Sequence, residues 1–163
     1  MIREWNKKDS EALSKQANDQ SIWNQVRDEF PYPYTDECAK QFIENLSKDP
    51  NAIDRAIINE NTIAGSISIK INDDIRRFSG VLSYWLGVDY RGKGLATAAV
   101  IEIVELAFSE FDLMRIYAKV FDNNKASIAV LEKAGFKKEG HFRKAIFKNG
   151  VFHDQLLYAK IKS

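Results

Sequence analysis

The chain of 163 residues is poor in the residues that staple a fold: it has one cysteine, Cys38, and two histidines, His141 and His153. A single thiol cannot close an intrachain disulfide, which suits a reducing cytoplasm, the expected location. Two histidines and one cysteine without ligand spacing leave no metal site. An excess of one charge is also missing. The formal net charge is +1, so the broad basic footprint expected of a partner for nucleic acid or an anionic membrane is absent. No apolar run is long enough to span a bilayer. The most apolar stretch, Leu95 to Phe108, is interrupted by Glu102 and Glu105, and the charged start Met1-Ile2-Arg3-Glu4-Trp5 builds no secretory signal. Repeats, low-complexity tracts and linkers are lacking too, so residues 1–163 read as one domain with its own core.

What is present has a clear order. Ile2 to Trp5 reads as a short strand. Asp9 or Ser10 caps a helix over Glu11 to Asn18, and Ser21 to Phe30 reads as a second helical piece with Ile22, Trp23 and Val26 on one face. Pro31 and Pro33 deny a helix and display Tyr32 and Tyr34 on an extended segment. Thr35 caps a helix over Asp36 to Leu46. Strands follow at Ala52 to Ile58 and Thr62 to Ile71, joined by Asn59-Glu60-Asn61, then at Val81 to Val88. Leu95 to Phe108 is helical, Arg115 to Val120 a strand, and Lys125 to Ala134 a helix closed by Gly135. Phe136 to Phe147 and Val151 to Ile161 form a hairpin across Lys148-Asn149-Gly150. The pattern predicts a mixed α/β domain with strand-helix-strand crossovers.

The densest information lies where the fourth strand meets the long helix, in Leu86-Gly87-Val88-Asp89-Tyr90-Arg91-Gly92-Lys93-Gly94-Leu95-Ala96. A strand that runs through a glycine turn into a helix offers free backbone N–H groups and the positive end of the helix dipole. Gly92 and Gly94 keep Cβ atoms out of the way, while Arg91 and Lys93 add charge. Two readings stay open on these residues alone: a cradle for a phosphate or pyrophosphate, or a tight strand-to-helix connection. A nucleotide P-loop is excluded because G-x-x-x-x-G-K-[ST] is absent. A dinucleotide fold fails because Thr97 stands where the third glycine belongs.

Arg91-x-x-Gly94-x-Ala96 resembles the acyl-coenzyme-A signature of the GNAT superfamily of N-acetyltransferases. Asn124-x-x-Ser127, Gly135-Phe136-x-x-Glu139-Gly140, Pro33-Tyr34-Thr35 and His153-Asp154 resemble the branch that acetylates the N-termini of ribosomal proteins. The resemblance runs over nearly the whole chain. It implies a twisted, mostly antiparallel sheet of about seven strands with flanking helices, splayed where acyl-coenzyme A enters. It implies acetyl-CoA as cosubstrate, held by Leu86, Gly87, Val88, Arg91, Gly92, Lys93, Gly94, Leu95, Ala96, Asn124 and Ser127. It also implies a backbone N–H near Gly87 or Val88 as donor to the thioester oxygen. The acceptor is then a protein N-terminal amine or a small-molecule amine. The acting form is a monomer or a homodimer.

The resemblance departs at the proton-handling positions. The tyrosine that many relatives place seven residues after the asparagine is Leu131 here, and the likeness to the ribosomal-protein branch implies the hydroxyl of Ser127 as the acid in its place. Two glutamate positions hold Val81 and Ile146. Candidates for the base are therefore Glu139, Tyr84, His153, Asp154 or a water. Trp23, Tyr32, Tyr34 and His153 are expected to line the acceptor side. A catalytically degenerate acyl-CoA sensor remains the non-enzyme alternative.

Overall fold

In a computed structural model describing residues 1–163, the strand signals converge on one seven-stranded sheet. The strands are β1 Ile2–Arg3, β2 Ala52–Asn59, β3 Thr62–Ile71, β4 Ser79–Leu86, β5 Arg115–Phe121, β6 Lys137–Lys148 and β7 Val151–Ile161. Their spatial order is β1-β2-β3-β4-β5-β7-β6. Every neighbouring pair is antiparallel except β4 and β5. That parallel pair needs a crossover, and the helix α4, Leu95–Glu110, supplies it. The other helices are α1 Ser10–Ala17, α2 Gln20–Trp23, α3 Asp36–Leu46 and α5 Lys125–Lys133.

Strand alternation sorts the side chains onto two faces. Ile67, Ile69, Leu82, Ile116, Ala118 and Val120 point to the main core. There α4 buries Ala96, Ala99, Val100, Ile103, Val104 and Ala107, a stripe with helical spacing. The opposite face carries a smaller cluster in which Leu13, Ala17, Tyr34 and Ala39 pack with Trp5, Phe30 and Trp85. Thr35 caps α3 as its sequence predicts, its Oγ1 accepting from Cys38 N–H at 3.2 Å.

Three boundaries differ from the sequence reading. The helix expected over Ser21 to Phe30 stops at Trp23. Beyond it the chain closes only short turns, Gln25 N–H to Ile22 O and Phe30 N–H to Arg27 O, both at 3.0 Å. Asn24 and Asp28 are weak helix formers, and Pro31 biases Phe30 out of helical backbone. Strand β4 ends at Leu86 rather than Val88, because Val88 to Tyr90 forms a 3₁₀ turn. The hairpin turn is Asn149-Gly150 alone, with φ of 52° and 76°, and Lys148 belongs to β6.

Candidate active site

Strands β4 and β5 pair only over Ser79, Gly80 and Val81 with Arg115, Ile116 and Tyr117. From Leu82 onward they diverge, which opens a gap at their carboxyl ends. Gly87 N–H donates to Ala64 O in β3 at 2.8 Å. That sets the phase of the ladder: Ser83 and Trp85 turn their peptide groups toward β3, and Leu82, Tyr84 and Leu86 turn theirs into the gap. An unpaired strand edge of this kind can take an extended amide chain as an added strand.

The glycine turn stands at the mouth of the gap. Gly92 and Gly94 have φ of 74° and 76°, and a Cβ on either would meet nothing within 4 Å. Gly94 is the N-cap of α4 and offers no capping side chain. The N–H groups of Gly92, Lys93, Gly94, Leu95, Ala96 and Thr97 have no partner in the protein. Arg91 is tied back, with Nε donating to Leu86 O at 3.3 Å and Nη1 to Ser21 Oγ at 3.0 Å. Lys93 is exposed beside the Tyr90 ring. Free N–H groups, open glycine backbone and a helix N-terminus together suit a pyrophosphate.

The oxyanion donor expected near Gly87 or Val88 narrows to one. Gly87 N–H is spent on Ala64 O, whereas Val88 N–H has no partner. Asn124 caps α5, its Oδ1 accepting from Ser127 N–H at 3.1 Å, so its Nδ2 is the part left for a ligand. Ser127 is half-buried on the first turn of α5, and its hydroxyl bonds to nothing in the protein.

Two expected bases are corrected. The Tyr84 hydroxyl donates to the Ser127 carbonyl at 3.2 Å, and burial pushes its pKa up to about 12. A phenol that holds its proton so firmly is no base at neutral pH. It fixes the first turn of α5 instead. Glu139 stands on β6, two strands over from β5, and its Oε2 sits 2.6 Å from Arg115 Nη2. That bond holds its carboxyl below the usual range. The Glu139 backbone is level with Ala118 and Lys119 of β5, and β5 and β7 stand between it and the gap. Asp154 is also committed: its Oδ1 accepts from Lys144 N–H at 2.8 Å and its Oδ2 meets His141 Nε2 at 2.7 Å.

The side of the gap facing away from α4 is aromatic. Trp85 and Phe121 alternate with core residues and point to this face. Phe30 packs against Trp85 at 6.3 Å, and Trp23 stacks on Tyr32 at 5.9 Å. Tyr32 is exposed, but Tyr34 is only 6% exposed and packs in the smaller core, so its expected place on the acceptor wall is corrected to packing. His153 lies against Phe121, ring centroids 5.6 Å apart.

Sequence reasoning missed the residues that pin this wall. Lys148 is 3% exposed, its Nζ 3.5 Å over the Trp23 ring and 2.9 Å from Asp28 Oδ1. Asn149 Nδ2 donates to Asn24 Oδ1 at 2.9 Å. A lysine before Asn-Gly reads as an exposed turn residue, and only the partner segment more than a hundred positions earlier reveals it as buried. No group of three metal-ligating side chains gathers anywhere, and no helix is long and apolar enough to cross a membrane.

Comparison with known proteins agrees with this geometry. Residues 1–137 match the family model described as an acetyltransferase (GNAT) domain. YdaF of Bacillus subtilis is 32% identical over 114 residues, which are 70% of this chain and 62% of YdaF. The ribosomal-protein-S5-alanine acetyltransferase from Vibrio fischeri superposes with a TM-score of 0.85 at 27% identity, covering 98% of this chain and 91% of the other. The self-immunity acetyltransferase MccE, solved in complex with acetyl-CoA and AMP, superposes with a TM-score of 0.84 at 27% identity, covering 99% and 91%.

Proposed function

The chain belongs to the GNAT acetyltransferase family, and we propose that it moves an acetyl group from acetyl-CoA directly to the N-terminal α-amine of a protein or peptide. One observation carries the donor half: a run of unpartnered N–H groups from Gly92 to Thr97 beside an unpaired strand edge. The backbone of the turn binds the pyrophosphate, and the β4 edge aligns the pantetheine amides. Val88 N–H donates to the carbonyl oxygen as negative charge grows on it. The Ser127 hydroxyl gives its proton to the departing sulfur. Cys38 takes no part in a two-step route, since it lies on α3 with its thiol sulfur accepting from Thr35 Oγ1 at 3.1 Å.

Two points favour an α-amine as acceptor. Its ordinary pKa near 7.7–8.0 leaves a neutral fraction at pH 7, unlike a lysine side chain. The acceptor face is walled by Trp23, Tyr32, Phe30 and Trp85, which suits the end of an extended peptide. The likeness to the Vibrio fischeri enzyme points the same way.

The test is release of free thiol from acetyl-CoA with a panel: peptides with a free N-terminus, the same peptides with that end blocked, spermidine and an amino sugar. Turnover is expected only with the free α-amine. Ser127→Ala is expected to cut that turnover about 10- to 100-fold, with coenzyme-A affinity almost unchanged. Preference for spermidine or the sugar would replace the acceptor assignment. Binding of coenzyme A without turnover of any amine would make the chain a sensor.

A further inference from the structure

We infer that Asp122 and His153 form the proton-accepting pair on the acceptor side of the gap, an inference that rests on the transfer reading above. Asp122 follows β5 directly, and its N–H donates to Asp154 O in β7 at 3.0 Å, which locks the two segments together. Its Oδ1 is closed off from solvent and has no hydrogen-bond partner. The Asp122 side chain is 40% exposed, yet this one oxygen is enclosed, and native structures rarely leave an enclosed carboxylate oxygen unused. The atom nearest in kind is His153 Nδ1, 3.9 Å away.

The register places the pair at the mouth of the gap. Gln155 is opposite Phe121 at the end of β5, and His153 lies two residues further toward the hairpin tip on the same face. That face carries Trp85, Phe30 and the aromatic wall. The α4 and α5 face carries Tyr84 and Ser127. The sheet thus divides the proton work: the group that gives a proton to sulfur is on one face, and the group that takes one from nitrogen is on the other. The His153 side chain is 21% exposed, and its Nδ1 is the ring nitrogen turned to Asp122, which leaves Nε2 for the amine.

The carboxylate of Asp122 favours the tautomer with hydrogen on Nδ1, which leaves the Nε2 lone pair free. As the amine nitrogen bonds to the acetyl carbon, Nε2 takes the proton that nitrogen sheds. The C–S bond breaks, the sulfur takes its proton from Ser127, the Ser127 oxygen regains a proton from water, and the imidazolium returns its own to solvent. Asp122 stays ionised beside the imidazolium, as a positioning residue. A distance of 3.9 Å is long for the final hydrogen bond, and such contacts commonly tighten when substrate is bound. The other charged groups near His153 are engaged elsewhere. Lys148 and Asp28 bond to each other, and Asp154 holds Lys144 N–H and His141.

The experiment uses the full chain with a free-α-amine peptide and compares wild type, H153Q, D122N and the double variant. H153Q is expected to lose about 100-fold in kcat/KM at pH 7. The deficit narrows above about pH 8, where the amine is already neutral. D122N is expected to lose about 10-fold, and the double variant no more than H153Q, because the two act as a unit. Nitrogen NMR of the imidazole supplies a readout independent of turnover: Nδ1–H in wild type, shifting to Nε2–H in D122N. An active wild type with unaltered H153Q, losses that multiply, or an Nε2–H tautomer in wild type would each overturn the pair. A wild type inert toward every amine overturns the transfer reading, and the base role with it.

Discussion

The two sides of the gap are built from different materials. On the proposed reading the donor side is backbone: unpartnered N–H groups of a glycine turn and the bare edge of β4. The acceptor side is side chain: Trp23, Phe30 and Tyr32 from one segment, Trp85 from β4, Phe121 from β5, and Lys148 and His153 from the hairpin. A backbone site reads what every acyl-CoA shares, a pyrophosphate and amides. A side-chain site can be recut residue by residue without disturbing the donor. This division explains how one frame holds a constant donor while the acceptor varies.

The sharpest way to break the comparison is to put a side chain where the donor side has none. Gly94→Val places a β-branched residue at a φ of 76° with nothing within 4 Å of the new Cβ. The strain costs about 1–2 kcal/mol, so the fold survives. The new methyls stand over the free N–H groups of α4. Loss of two charge-assisted hydrogen bonds, about 3 kcal/mol together, corresponds to roughly 100-fold in Kd. Calorimetry with coenzyme A is expected to show at least that loss, and unchanged affinity would remove the pyrophosphate from this turn.

The same division decided what could be read from the sequence. The glycine turn was legible because glycines at fixed spacing between a strand and a helix have a local meaning, and Arg91, Gly94 and Ala96 lie within six positions. Element order was legible for a similar reason, since β3 and α4 carry their periodicity in their own residues. The acceptor side was not. Asp28 and Lys148 are 120 positions apart and meet only in the fold. Tyr34 and Tyr32 look alike in sequence, but one is buried and the other exposed, a difference set by α1 and α3 packing on the sheet. Glu139 fitted a motif, yet the strand order puts β5 and β7 between it and the gap.

A milder break strikes the acceptor side alone. Asp28→Asn removes the counter-charge of Lys148, which is 3% exposed and cannot reach water. Breaking a fully buried pair costs more, but the Asp28 side chain is 75% exposed, so about 1–2 kcal/mol is expected. For a chain of this size that is a fall in Tm of roughly 2–8 °C. Trp23 loses its anchor and the wall loosens, so KM for the peptide is expected to rise several-fold while coenzyme-A affinity holds. A loss of coenzyme-A affinity equal to the rise in KM would show that the two sides are not separable.

The smallest effect is expected from Glu139→Gln, which separates motif from mechanism. Glu139 bonds Arg115 on the surface, with β5 and β7 between its strand and the gap. An exposed pair of this kind contributes at most about 1 kcal/mol. Its sign with pH follows from the lowered carboxyl pKa, whose first cause is the Arg115 hydrogen bond. A depressed acid stabilises the fold above its ordinary titration range, and the gain fades as pH falls through the folded pKa. Wild type and Glu139→Gln should therefore differ slightly in denaturant midpoint at pH 7 and converge in acid, with equal turnover at every pH where both are folded. A tenfold loss of turnover at equal stability would return Glu139 to the chemistry and would mean that the acceptor reaches across β5 and β7.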